Sequence, residues 1–369
     1  MNPPRIIAFA TQGAGGDDEA RLRSLLANFS AEFFPFDRWA KRRSFFGALG
    51  TIRRQRPDLV VMEGTGLAGG AAVLLGRLLA NVPYVVSSGD AVRPFVAAQR
   101  PWLGPPFGLY ERLLCRWSAG FIGWTPYLTG RALTFGAPRA MTAAGWAPFL
   151  RSPNELTVGR SRVRAELGIP ADAIVVGLVG SLAWTKRVGY CYGQELVQAI
   201  IRTPKTDVRA LIVGDGDGRV RLERLAGERL DTRIFMTGRI PRDQVPDYLA
   251  AMDLASLPQS VDGVGSFRYT TKLSEYLACG LPVVTGQIPL AYDLDGNWLR
   301  RLPGGSPWDE RYITALAGLL ARLTPTELAA MRSAVPRELP EFDRARQVIR
   351  VTAFLTEVLA ERVVHAQRQ

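Results

Sequence analysis

Histidine is nearly absent: the 369-residue chain has one, His365, close to its C-terminal end. That argues against any mechanism needing a positioned imidazole in a cleft. Cysteine is scarce too. Cys115, Cys191 and Cys279 lie far apart with no CxxC pair, which argues against a zinc site or a disulfide framework and suits a reducing compartment. Long apolar runs are missing. The uncharged stretch from Gly64 to Gly76 is Gly-rich, ends at Arg77 and falls well short of the ~20 residues that cross a bilayer. Met1-Asn2-Pro3-Pro4-Arg5 leads directly into a strand-like run, so no signal peptide is expected. These absences point to a cytoplasmic protein whose membrane contact, if there is one, is peripheral at the inner face of the membrane.

Acidic residues are few in the N-terminal part. Residues 1–150 hold 17 basic and 9 acidic side chains, so they carry +8 of the net +12. From Arg38 to Pro57 there is no acid at all, while Arg38, Lys41, Arg42, Arg43, Arg53, Arg54 and Arg56 alternate with Trp39, Phe45 and Phe46. Basic and large apolar side chains at helical spacing suit an anionic lipid surface, with Arg38, Trp39, Lys41, Arg42 and Arg43 as the contact residues. The alternative is a solvated amphipathic helix of an α/β domain. Nucleic acid is not expected, because no recognition motif accompanies the charge.

What the chain has in quantity is a repeated rhythm of short apolar runs, Gly-rich turns and amphipathic stretches. Strands are expected at Ile6–Ala10, Asp58–Met62, Tyr84–Ser87, Gly120–Gly123, Ile174–Val179, Ala210–Val213, Arg233–Met236, Leu254–Leu257 and Val283–Thr285. Helices of 9 to 13 residues between them imply βαβ units, and uninterrupted apolar strands imply parallel sheets covered on both faces. The length suits two domains. A polar, Pro-containing segment at 146–164 reads as the linker, and Phe342 to about Val364 as a closing helix. The fold expected is α/β: two facing Rossmann-like domains, at 1–150 and 160–341, with a deep inter-domain cleft, and a C-terminal helix at 342–369 packing back towards the first domain.

In such sheets ligands bind beyond the carboxyl ends of the strands. After the first strand, Gly13-Ala14-Gly15-Gly16 either brings amides to a phosphate or serves as a structural turn, with Asp17, Asp18 and Glu19 opposing an anion. After Ile174–Val179 comes Gly180-Ser181-Leu182-Ala183-Trp184-Thr185-Lys186-Arg187, whose two cations suit a diphosphate, or form an exposed pair on a loop. Gly214-Asp215-Gly216-Asp217-Gly218 and Asp293-Leu294-Asp295 are DxD turns with too few oxygen ligands for a hard cation, so no metal is expected. In Tyr269-Thr270-Thr271-Lys272-Leu273-Ser274-Glu275 a helix begins that Gly280 closes. Its N-terminus suits phosphate and Glu275 a ribose diol.

At this segment the chain resembles the family 4 retaining glycosyltransferases of the GT-B fold, through Lys272-Leu273-x-Glu275-Tyr276-x-Ala278-x-Gly280-x-Pro282-Val283-Val284. Further similar motifs follow in order: Val179-Gly180 with Lys186, Ile212-Val213-Gly214-Asp215-Gly216, Phe235-Met236-Thr237-Gly238, and Tyr248-Leu249 to Asp253. The resemblance covers roughly residues 160 to 290. It implies an acceptor-binding first domain and a second domain that binds a UDP- or GDP-sugar as co-substrate, without cofactor or metal. It places Lys186 and Arg187 on the diphosphate and Glu275 on the ribose. The amides around Thr271, Lys272 and Leu273 would reach the phosphates, with Gly238, Arg239 and Ile240 beside the base. Gly15, Gly16, Ser181 and Gly214 complete the donor set, and Asp90, Lys186 and Glu275 are the catalytic candidates.

Three positions depart from the family pattern. Phe267 stands where an E-x7-E motif has its first Glu, Ser181 where an Arg is common, and Ser87-Ser88-Gly89 near the usual place of a His. Retaining transfer in this family is generally described as front-face, with the leaving diphosphate taking the acceptor proton, and a chain without a usable His suits that route. The implied activity is transfer of a hexosyl or N-acetylhexosaminyl group to a lipid-linked, glycan or small-molecule hydroxyl, as in polysaccharide and cell-envelope synthesis. A nucleotide-sugar epimerase of the same fold and a non-catalytic sugar-nucleotide or membrane-binding protein are the alternatives.

Overall fold

The apolar runs form two separate six-stranded sheets in the computed structural model, which describes residues 3–366, with side chains through residue 361. His365 therefore lies outside the residues whose side chains are described. In chain order the first unit contains β1 (Ile6–Ala10), α1 (Asp17–Leu25), β2 (Ala31–Phe33), α2 (Lys41–Gln55), β3 (Leu59–Glu63), α3 (Leu67–Ala80), β4 (Tyr84–Ser88), α4 (Val92–Gln99), α5 (Gly104–Arg116), β5 (Gly120–Gly123), α6 (Pro126–Thr134) and β6 (Ala140–Thr142). The second contains α7 (Pro153–Glu166), β7 (Ile174–Val179), α8 (Gln194–Arg202), β8 (Val208–Val213), α9 (Arg219–Ala226), β9 (Ile234–Gly238), α10 (Val245–Ala250), β10 (Leu254–Leu257), α11 (Thr271–Ala278), β11 (Val283–Thr285), α12 (Leu290–Asp293), β12 (Leu299–Arg301), α13 (Glu310–Arg322) and α14 (Pro325–Ser333). The last helix, α15 (Arg344–Ala366), belongs to the first unit, as does the short segment Phe267–Tyr269.

All pairings between these strands are parallel. Unit 1 has the order β2-β1-β3-β4-β5-β6 and unit 2 the order β12-β11-β10-β7-β8-β9. The second is the doubly wound dinucleotide-fold order, and both sheets are buried on their two faces, as uninterrupted apolar strands require. In unit 2, Val176, Leu178, Ala210 and Ile212 pack beneath Leu196, Ile200 and Leu316; in unit 1, Phe9, Val60, Met62 and Val86 pack with Ile52, Val73 and Leu114.

Three strands were not anticipated. β2, β6 and β12 have three residues each and lie at sheet edges, where short, partly polar strands are the rule and leave no apolar run to read. The segment at 146–164 also differs from the expected linker, because most of it belongs to α7. Ser152 and Glu155 form a capping box with Pro153 at the first turn. The arginines of α7 look solvated in the sequence, yet Arg160 and Arg164 both pair with Asp253 at 2.7 Å, and Arg164 also donates to carbonyls of Ala251 and Ala173. Unit 2 begins at Trp146, and this helix is its first element. In unit 1, α15 buries Val351 and Leu355, and Asn28 donates to Thr352 on it at 3.0 Å.

Candidate active site

In unit 2 the strand order reverses between β7 and β10, which are hydrogen-bonded neighbours. A crevice beyond their carboxyl ends is the general ligand position of such sheets. The loops that meet there are residues 180–193 after β7 and 258–266 after β10, with 214–218 beside the first.

The turn at 214–218 is built to hold the neighbouring loop. Gly214 has φ +143°, and a side chain there would collide with the Gly180 carbonyl. Its amide donates to the Gly238 carbonyl at 3.0 Å. Leu182 donates to the Asp215 carbonyl and Gly218 to that of Leu182, while the Asp217 carboxylate accepts the Trp184 amide at 2.7 Å. Gly214 is therefore a packing position whose amide is already engaged, a correction to its place in the donor set. Leu273 needs the same correction: its side chain is wholly buried and its amide donates to Thr270, so it belongs to the core.

Three cations lie on the 180–193 loop and on α11. Lys186 and Arg187 sit exposed in the tight turn that joins Thr185 to Tyr190, a pair linked by an antiparallel bridge. The Lys272 ammonium lies against the Gly180 backbone and 4.2 Å above the Tyr192 ring, so the structure brings it to the Gly180–Ser181 turn. Thr271 and Lys272 open α11 at its positive end, and the Thr270 hydroxyl caps nothing there. Glu275 lies one turn further along, partly buried. Gly238 is buried against the Arg219 guanidinium, with Arg239 exposed and Ile240 half-buried after it.

Beneath these loops is a group that sequence reading missed. Glu195, in the first turn of α8, is 0% exposed. Its carboxylate accepts the Tyr190 hydroxyl at 2.8 Å and the Gly193 amide at 3.1 Å, with Ser256 of β10 at 3.5 Å. Burial pushes it up to about 7, against the opposing effect of those donors.

The corresponding order reversal in unit 1 lies between β1 and β3. Here the Gly15 amide donates to Glu19 at 2.6 Å, so a carboxylate already occupies the position that Gly15 and Gly16 were expected to offer to a phosphate. The same end of the sheet holds a buried ion pair, Arg21 with Glu63 at 2.7 Å, with side chains 6% and 1% exposed. Arg21 also donates to Ser87 and to the Ala143 carbonyl, lies 4.2 Å over the Trp124 ring, and Trp124 donates to Glu63 at 3.0 Å. Beside this pair, burial together with the charges of Glu63 and Asp90 raises Asp18 to about 6. Asp90 is ion-paired with Arg268 at 2.6 Å. No run or motif announces Arg21, Glu63 or Trp124; only the alignment of β1, β3 and β5 brings them together.

The expected membrane residues stand at the start of α2. Trp39 is 83% exposed with the Arg38 guanidinium 4.7 Å over its ring, and Lys41, Arg42, Arg43 and Phe46 are exposed as well. Leu78 and Leu79 at the end of α3 are also exposed. Among the described residues, no helix is long and apolar enough to cross a membrane, and no group of three His, Cys, Asp or Glu side chains is placed to hold a metal ion.

Residues 173–299 match the family model described as glycosyl transferases group 1, and residues 5–144 match the glycosyl transferase 4-like domain. The chain belongs to the group 1 glycosyltransferases. It is similar to the 2-deoxystreptamine glucosyltransferase of Streptomyces kanamyceticus, at 27% identity over 54% of this chain and 42% of that protein. It is also similar to the 2-deoxystreptamine N-acetyl-D-glucosaminyltransferase of Streptomyces fradiae, at 28% identity over 64% of this chain and 56% of that one. The matches thus span about half the length of these relatives. Among solved structures, Anabaena Alr3699/HepE in complex with UDP and glucose superposes with a TM-score of 0.71 at 18% identity, over 96% of this chain and 100% of that one, which shows the GT-B fold.

Proposed function

We propose that this glycosyltransferase moves a hexosyl or N-acetylhexosaminyl group from a nucleotide-diphosphate sugar to an acceptor hydroxyl. The observation that carries the reading is the reversal point of unit 2, where Lys272 reaches the Gly180 turn and Glu275 follows on the same helix. Lys186, Arg187, Lys272 and the amides opening α11 neutralise the diphosphate as it leaves, with no need of a metal ion. Glu275 accepts from the ribose hydroxyls, and Arg239 and Ile240 flank the base. The Anabaena structure with UDP supports uracil as that base.

Unit 1 takes the acceptor. Asp18 and Asp90 offer carboxylates to its hydroxyls, and the 2-deoxystreptamine in two relatives' names supports a small polyhydroxylated acceptor. Retention is the stereochemical course proposed: the departing diphosphate takes the acceptor proton, so positioning and charge neutralisation supply the catalysis. Incubation with UDP-glucose or UDP-N-acetylglucosamine and candidate acceptors tests this. Acceptor-dependent UDP release that Glu275→Ala lowers at least tenfold supports the reading, and the α anomer in the product supports retention. An altered free sugar nucleotide without any acceptor would favour the epimerase instead.

We further propose that the α2 surface rests on anionic lipid at the cytoplasmic face of the membrane, as its arginines and exposed Trp39 and Phe46 suggest. Binding to anionic vesicles should weaken with salt and on neutralising Lys41, Arg42 and Arg43. Equal binding to neutral vesicles would overturn it.

A further inference from the structure

Glu195 is a fully buried carboxylate for which transfer chemistry has no direct use. Among the described residues no cation pairs with it: the titratable groups around it are Tyr190, Cys191, Tyr276 of α11 and Tyr312 of α13, all neutral at ordinary pH. An unpaired buried carboxylate is costly, and a well-packed apolar side chain would fill the same space without that cost. What it does geometrically is specific. Tyr190 is the return arm of the turn bearing Lys186 and Arg187, held across to Thr185 by the Thr185 amide at 2.8 Å. The Tyr190 hydroxyl and the Gly193 amide both end on Glu195, and Ser256 ties the same carboxylate to β10. The anchor thus lies between the two strands whose order reverses.

We propose that Glu195 is a positioning residue: its carboxylate, through Tyr190 and Gly193, fixes the turn that carries Lys186 and Arg187 and thereby sets the affinity for the donor diphosphate. This rests on the donor-site reading above. Tyr190 and Gly193 both donate to Oε2, while Ser256 faces Oε1; a neutral carboxyl is a weaker acceptor at Oε2 than a carboxylate, so protonation weakens the anchor. With the carboxyl held near 7, the anchor loosens as pH falls from 8 to 6. Tyr190 titrates far above this window, so the change belongs to Glu195.

The test is calorimetric titration of UDP-glucose and UDP-N-acetylglucosamine from pH 6 to 8, a range in which a sugar-bearing diphosphate keeps its charge. Wild-type affinity should rise with pH severalfold. Glu195→Gln, which keeps the shape and removes the titration, should bind about tenfold more weakly at pH 8 with no pH dependence. Tyr190→Phe, which removes one donor to the carboxylate, should weaken binding and move the midpoint to higher pH. Removing a buried charge should leave Glu195→Gln at least as stable as wild type at pH 8, so thermal melting separates this effect from misfolding. If wild type binds and Glu195→Gln matches it at every pH, the proposal is overturned. If wild type binds neither sugar nucleotide at any pH, the donor-site reading itself fails.

Discussion

Replacing Arg21 by methionine removes one half of the most deeply buried ion pair in unit 1. Arg21 and Glu63 meet at 2.7 Å with almost no solvent access, and Arg21 also satisfies Ser87 and the Ala143 carbonyl. In Arg21→Met the Glu63 carboxylate would keep only Trp124 as a described side-chain donor. Breaking such a pair from one side costs about 3–5 kcal/mol, because the remaining charge stays buried without compensation. A unit of this size loses about 2–4 °C per kcal/mol, so its melting transition should fall by roughly 6–20 °C. Arg21→Met/Glu63→Gln removes both charges and should recover most of that loss, with the coupling read from a double-mutant cycle in differential scanning calorimetry. A drop in Arg21→Met equivalent to less than about 1 kcal/mol, or a double variant no better than the single, would show that the pair is not a coupled buried one.

Other consequences can be measured independently. Gly214→Ala forces a methyl group onto the Gly180 carbonyl at φ +143°, so it should destabilise unit 2 by at least about 1–3 kcal/mol in denaturant melts and weaken donor binding with it. Asp18 is raised to about 6, above its unfolded value. Its contribution is therefore fully present below pH 4 and lost as pH rises through 6. The stability of Asp18→Asn relative to wild type should then grow between pH 4 and 7, by on the order of 1 kcal/mol after allowance for its partial exposure. Cys115, Cys191 and Cys279 are buried, with burial pushing their thiols up to about 12, 11 and 12, so an aromatic disulfide reagent should label them only as the protein unfolds.

The regular part of the fold was legible because a strand covered on both faces must be apolar throughout. β1, β5, β7, β10 and β11 have the bounds their apolar runs suggest. Edge strands carry no such signature, and α7 was hidden because Arg160 and Arg164 turn inward to Asp253 and to carbonyls. At the candidate site, Lys272 and Glu275 could be read from a single helix that starts after Thr270 and is closed by Gly280. The Arg21–Glu63 pair could not, since it joins a helix and a strand distant in sequence, and neither could Glu195, whose neighbours Tyr190 and Gly193 are local but whose burial depends on distant residues such as Ser256 of β10. The glycines were legible as turns but not by role: Gly214 serves close packing, and the Gly15 amide meets Glu19.

The central claim is that the order reversal of unit 2 binds a nucleotide diphosphate through α11 and the Gly180 turn. Calorimetric titration of UDP into wild type and Lys272→Ala tests it most directly. Saturable one-to-one binding is expected, weakening with salt and at least tenfold in Lys272→Ala through the loss of one charge-assisted contact. Undetectable UDP binding by the folded wild-type protein, or equal affinity in Lys272→Ala, would contradict it.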